Sequence, residues 1–154
     1  MKNGPRIRGE GEDMFGGSFG RNIDIISREL DASVLRQNVI ANNIANADVP
    51  EFKRSDVTFE SQLKRALDSE AVAAASSGFP QYLTDPRHIP FNATMDYRTV
   101  NPRIVLDYLT TAKNNGNNVD IEQEGMNMTT NYLLYATLAQ AISSEFQRVN
   151  IVLR

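Results

Sequence analysis

At 154 residues and a net charge of −3, the chain is one ordinary domain at most, with no electrostatic case for nucleic acid or an anionic membrane as its main partner. It contains no cysteine, no tryptophan and one histidine, His88, which excludes disulfides, thiolate zinc sites, a cysteine nucleophile and a multi-histidine metal site, and strains any Ser-His-Asp hydrolase. No apolar run is long enough to span a bilayer, and Lys2, Arg6 and Arg8 are followed by no apolar stretch of the kind a secretory signal needs.

Residues 1–20 carry most of the glycine and few apolar side chains, so they are expected to be a flexible segment that buries too little to offset its ordering entropy. Residues 21–47 read as a long helix. Ile23, Ile26, Leu30, Ile40, Ile44 and Ala47 keep a three-four spacing, interrupted by Ser33 and Gln37, and Ile25, Leu35 and Val39 form a weaker second stripe. Two stripes imply contact from two sides. Residues 48–57 read as an extended linker with Lys53 and Arg54. A shorter helix is expected from near Thr58 to Ala75, its apolar face made by Phe59, Leu63, Ala66 and Leu67.

Residues 76–118 look irregular, because Pro80, Pro86, Pro90 and Pro102 recur too often for long regular structure. Tyr97–Val100 and Ile104–Leu109 fit short strands or a helical turn. Asp85 fits a turn initiator before Pro86 better than a catalytic partner of His88. Lys113 to Asn118 is a turn by composition. Asp120 then suits a helix cap, with Gln123 three residues later as its capping-box partner. From residue 119 to 154 the periodicity is strongest: Met128, Tyr132, Tyr135, Ala139, Ile142, Phe146, Val149 and Leu153 alternate four and three, a heptad seam that predicts a helix paired with the first one. Gly125 and the weak helix formers Asn127, Thr129, Thr130 and Asn131 predict a bend or a late start there.

The stretch Ala41-Asn42-Asn43-Ile44-Ala45-Asn46-Ala47-Asp48-Val49-Pro50-Glu51-Phe52-Lys53 reads as a helix that stops at a fixed point. Asn tolerates a left-handed terminal residue, and Pro50 biases Val49 toward an extended conformation. Three Asn in five residues suit a helix poorly unless their amides bond to something, and from composition a helix end with one capping amide and an interface between helices fit equally well. Two paired helices alone bury little for a chain this size, so the monomer is expected to be weakly ordered and to order on assembly.

The run Leu35 to Pro50, with Phe52, Lys53 and Asp56, resembles the signature of the bacterial flagellar axial proteins, an Asn-Asn-Ile-Ala-Asn-Ala-Asp run followed by Thr-Pro-Gly-Tyr. Here Val49 stands for the Thr, Glu51 for the Gly and Phe52 for the Tyr, which bears on any special backbone angle at position 51. Gly116-Asn117-Asn118-Val119-Asp120-Ile121-Glu122 resembles the lead-in to the C-terminal helix of a proximal rod protein, and Thr84 to Ile89 matches more weakly. The resemblance implies a mainly α fold: long N- and C-terminal helices paired as in a coiled coil, with a short irregular middle and a third, shorter helix, ordered in a helical assembly. It implies a structural subunit of the proximal rod, part of a hollow shaft that crosses the periplasm and transmits torque.

The implied partners are further copies of the chain, other rod proteins of the FlgC, FlgF and FlgG types, the FliE-type adaptor, the MS ring and the flagellar type III export apparatus. Export would proceed without a cleaved signal, and neither nucleic acid nor membrane insertion is implied. The candidate assembly residues are Ile26, Leu30, Gln37, Ile40, Asn42, Asn43, Ile44, Asn46, Pro50 and Phe52 from the first half, and Met128, Tyr132, Tyr135, Ile142, Phe146 and Val149 from the last helix. No catalytic, cofactor or metal residue is expected. The competing readings are another proximal rod protein such as one of the FlgC type, a soluble coiled-coil adaptor or export chaperone, and, least supported by a single histidine, a small hydrolase.

Overall fold

The computed structural model describes residues 17–75, 85, 87, 94–110 and 113–152. His88 and Leu153 lie outside them, as do residues 1–16 of the segment expected to be flexible. Helix α1 runs Ser18–Ala45, strand β1 Ser55–Thr58, helix α2 Glu60–Ala75, strand β2 Arg103–Leu106 and helix α3 Ile121–Val152, with one turn of 3-10 helix at Tyr97–Thr99. The fold is mainly helical, with long first and last helices packed together and a short strand pair in the middle.

Helices α1 and α3 pair antiparallel. Phe19 meets Phe146 edge-on, Ser33 bonds Asn131, and Asn43 bonds Glu124, so residues rise along one helix as they fall along the other. Helix α1 begins at Ser18, inside the segment expected to be flexible, and ends at Ala45. Its terminal amides are closed by short turns: Asn46 N–H bonds the Asn42 and Asn43 carbonyls, and Ala47 N–H bonds that of Ile44. Asn46 does not take the left-handed conformation expected of it, since its φ is −105°. Among the described residues the one non-glycine at positive φ is Glu51, at 60°, where the resemblance has glycine.

The second stripe of α1 is covered by the chain itself. Ile25 and Ala32 pack with Phe59, Leu63, Ala66 and Leu67 around α2 and with Tyr97 and Val100 from the 3-10 turn. Phe59 is fully buried just ahead of α2, a side chain worth roughly 1.5–3 kcal/mol on removal from water. Arg21 ties the open ends together, pairing with Glu70 at 2.6 Å and stacking 5.3 Å above the Tyr97 ring. The second stripe therefore does not by itself require a neighbour, and the premise of a two-helix monomer is corrected by this third contact.

Strands β1 and β2 pair antiparallel, with Ser55 opposite Leu106 and Thr58 opposite Arg103. The linker expected at 48–57 thus contains a strand, and of the two middle segments one is a helical turn and the other a strand. Asp85 does initiate a turn, its Oδ1 accepting the Arg87 N–H at 2.8 Å.

Helix α3 is capped as expected by Asp120, whose Oδ1 accepts from the N–H groups of Glu122 and Gln123. The reciprocal half of the box is absent: the Gln123 side chain donates to Asn127 instead. The helix does not start late at Gly125, since it runs unbroken from Ile121, and the following threonines bond back onto the Gly125 and Met126 carbonyls.

The largest correction concerns the seam. Met128, Ile142 and Val149 are half-buried, but Tyr132, Tyr135 and Phe146 are 68%, 43% and 52% exposed, and Ala139 is exposed. The face of α3 turned toward α1 instead carries Glu124 and Asn131, both buried, and the half-buried Leu134, Leu138 and Ala141. Polar anchoring rotates the helix away from its most hydrophobic heptad.

Candidate functional site

The chemistry-bearing side chains converge where α1 ends, at the junction with the loop 113–120 and the first turns of α3. Asn43, on the inner face of α1, is wholly buried. Its Nδ2 donates to the Ser55 carbonyl at 2.8 Å and to Glu124 Oε2 at 3.1 Å, and its Oδ1 accepts the Ser55 N–H at 3.0 Å. The side chain thus pairs with the first residue of β1 as a neighbouring strand would, and fixes the chain reversal that follows α1.

Glu124 is also wholly buried. Its second oxygen accepts from Arg54 Nε at 2.6 Å and from Asn127 Nδ2 at 3.3 Å, so a buried carboxylate is met by one guanidinium and two amides. Burial opposes the charge on Arg54, but the hydrogen bond and charge of Glu124, helped by Asp56 and Asp107, raise its pKa above the ordinary value. Further along, Asn131 repeats the device between helices: its Oδ1 accepts from the Ser33 hydroxyl at 3.0 Å, and its Nδ2 donates to the Ser33 carbonyl and to Gln37 Oε1.

The loop completes a clasp. Asn117 is wholly buried, and its Nδ2 reaches the carbonyls of Asn46, Ala47 and Val49 at 2.8–3.0 Å while its Oδ1 accepts the Val119 N–H at 2.7 Å. These carbonyls belong to the chain reversal just beyond the end of α1 at Ala45. Asn118 accepts the Arg54 N–H and donates to the Asp107 carbonyl. Lys113 Nζ donates to the Ala47 carbonyl, Lys53 Nζ to that of Gly116, and the Glu51 N–H to that of Asn115. The two residues at positive φ, Glu51 and Gly116, face each other across this contact, and a Cβ on Gly116 would sit 3.7 Å from Glu51 Cα.

A second polar cluster lies between α1 and α2. Glu29 approaches Glu60, which is paired with Arg36. Burial, then the adjacent Glu60 charge and its hydrogen bond, push the Glu29 carboxyl up to about 7. For Glu60 burial acts the other way, but the backbone N–H at the start of α2 and the Arg36 charge hold it below the usual range.

The placement of the candidate assembly residues divides them. Asn43 and Ile40 are buried within the chain and present no surface to a neighbour. Asn42 and Pro50 are exposed, and Ile26, Leu30, Gln37, Ile44, Asn46 and Phe52 are half-buried. The Asn46 amide is spent on its own helix, bonding the Asn42 carbonyl at 2.8 Å. Sequence reasoning missed Glu124, Arg54 as its counter-charge, and the bonds of Asn117, Asn118 and Asn131. The legible signal was the density of Asn in both the 42–46 and 114–118 stretches.

The clefts beside the clasp are open to solvent. One of about 250 Å³ is lined by Arg36, Arg54, Asn127 and Leu134 among others. Among the described residues no cluster of three acidic or histidine groups is placed to hold a metal, and no helix is long and apolar enough to cross a membrane.

Residues 30–53, the second half of α1 and the start of the clasp, match the family described as "Flagella basal body rod protein". The chain is 40% identical over 136 residues to the flagellar basal body rod protein FlgB of Borrelia hermsii, covering 88% of this chain and 98% of that protein. It is 33% identical to FlgB of Bacillus subtilis, over 88% and 95% of the two chains, and 31% identical to that of Escherichia coli K12, over 77% and 83%.

Proposed function

The chain belongs to the FlgB family of flagellar basal body rod proteins, and we propose from that premise how this structural subunit meets its neighbours. Its place is the flagellar basal body, in association with other rod proteins. In our reading the subunit polymerises in the proximal part of the rod, in the periplasm, as one layer of a hollow shaft that carries torque outward. Its partners are copies of itself, rod proteins of the FlgC, FlgF and FlgG types, the FliE-type adaptor and the MS ring. It leaves the cell through the flagellar type III export apparatus.

The observation that carries this reading is the inverted polarity of α3. Its inner face is anchored by Glu124 and Asn131, while Met126, Tyr132, Leu133 and Ile151 stand 58–74% exposed on the outside. A run of exposed aromatic and aliphatic side chains along a helix about 50 Å long is a surface that assembly covers. The interface residues are then Tyr132, Tyr135, Phe146, Met128, Ile142 and Val149 of α3, with Ile26, Leu30, Gln37, Asn42, Ile44, Asn46, Pro50 and Phe52 along α1 and its end.

The test is a Tyr132→Ser, Leu133→Ser variant expressed in cells lacking the native gene. Its monomer melt should stay within about 1 kcal/mol of the parent, since these side chains are 68% and 58% exposed already. Rod assembly and swimming should be lost. Normal motility, or collapse of the monomer fold, refutes the assignment. A discrete small oligomer of the parent chain in light scattering would favour the adaptor reading instead.

A further inference from the structure

The clasp contains a reactive dipeptide. Asn115 is exposed and is followed by Gly116, so no side chain shields the next backbone nitrogen from the Asn115 carboxamide. Asparagine is among the thermolabile residues for this reason. We propose that Asn115 is a spontaneous deamidation site whose conversion to isoaspartate releases the clasp on α1.

The chemistry uses only hydroxide and water. Hydroxide removes the Gly116 amide proton, and the nitrogen attacks Asn115 Cγ, forming a C–N bond. The oxyanion develops on Oδ1, which already accepts the Asn117 N–H at 3.1 Å. That donor stabilises the charge where it appears, as in any oxyanion hole. Collapse breaks the Cγ–Nδ2 bond, and Nδ2 leaves as ammonia after taking a proton from water. Water then opens the cyclic imide. Opening at Cγ gives aspartate, and opening at the main-chain carbonyl carbon gives isoaspartate with one extra methylene in the backbone.

The same structure restrains the reaction. The Gly116 N–H donates to the Lys113 carbonyl at 3.2 Å, and the Asn115 carbonyl accepts from Glu51 N–H at 3.0 Å. Both bonds hold the nitrogen away from Cγ, so the rate follows local opening of the turn. The product cannot restore the native contacts. A backbone lengthened between residues 115 and 116 displaces Gly116 from Glu51, and moves the Asn117 amide off the carbonyls of Asn46, Ala47 and Val49.

The test incubates the full-length chain in mildly alkaline buffer at physiological temperature, beside a synthetic peptide of residues 113–119. Peptide mapping reads the replacement of NH2 by OH at residue 115, isoaspartyl methyltransferase reads the isoaspartate, and a melt reads the clasp. The other Asn-Gly step, Asn3-Gly4, falls on a separate peptide. The chain should convert at Asn115 about tenfold more slowly than the peptide, the ratio of a local opening. The converted fraction should melt earlier, while an Asn115→Ser chain keeps its melting temperature through the same incubation. A chain unmodified at residue 115 after the peptide has fully converted overturns the proposal. So does conversion without a change in melting, or an equal loss in the Asn115→Ser chain.

Discussion

Asn42 and Asn43 are adjacent, identical in chemistry and opposite in environment, and alanine at each should separate the two roles. Asn43→Ala removes two bonds with the Ser55 backbone and one to the buried Glu124 carboxylate. Neutral bonds contribute about 1 kcal/mol each and one to a charged group about 1.5–3, so the gross loss is roughly 4 kcal/mol. Alanine returns about 0.7 kcal/mol of helix propensity, leaving a net cost near 3 kcal/mol. In a chain of this size that lowers the melting temperature by roughly 6–12 °C. Asn42 is exposed, and its side-chain oxygen receives only a 3.5 Å contact from Asn46, so Asn42→Ala should gain the propensity and melt slightly later. Circular dichroism melts of the two variants at one concentration decide the matter. Equal shifts, or a later melt for Asn43→Ala, would refute the assignment of Asn43 to the clasp.

The same logic gives three shorter tests. Glu29 is raised from 4.5 to about 7, so between those values the folded chain holds a proton that the unfolded chain has released. Stability contributed by this group therefore falls as pH rises from about 4.5 to 7, and Glu29→Gln should flatten that part of a melting-temperature profile. Arg54→Met strands the Glu124 carboxylate and should cost about 3–5 kcal/mol in urea denaturation, whereas Arg54→Met with Glu124→Gln should cost less than Arg54→Met alone. A double variant as damaged as the sum of the singles would remove the charge pair from the account. Glu51→Gly relieves a left-handed residue worth about 1–2 kcal/mol against about 0.5–1 for glycine's extra freedom when unfolded, so a melting temperature higher by a few degrees is expected.

Periodicity located the helices because their apolar residues recur on fixed faces, and proline placed the irregular middle. It failed on α3 for a definite reason. The heptad through Tyr132, Tyr135 and Phe146 is the most hydrophobic stripe of that helix, but a stripe says only that something covers it. Asn131 and Glu124 sit on a different face, and each finds several partners on α1 or beside it. Nothing in spacing reveals that an Asn and a Glu will be buried, because the main groups that satisfy them come from residues 70 to 98 positions away. The Asn-rich stretch was legible as a set of amides in need of partners. Which amides face inward was not, since that depends on the rotation of α1 between α2 and α3. Glu51 is the converse case, where a departure from the resembling pattern marked the position but the left-handed angle persisted without glycine.

The arrangement also reconciles the proposed assembly role of this signature with its lying mostly inside the subunit. A helix pair whose seam is apolar can slide or rotate at small cost, because dispersion contacts are nearly equivalent from one register to the next. Asn43 on Ser55 and Glu124, Asn131 on Ser33 and Gln37, and Asn117 on the end of α1 each have one register in which every bond is made. A slip strands buried polar atoms at about 1–3 kcal/mol apiece. The polar seam therefore fixes α3 relative to α1, and with it the outward direction of Tyr132 and Leu133. The apolar side chains left outside gain a defined geometry from contacts they do not make, which is what a subunit needs if identical neighbours are to meet it in one orientation.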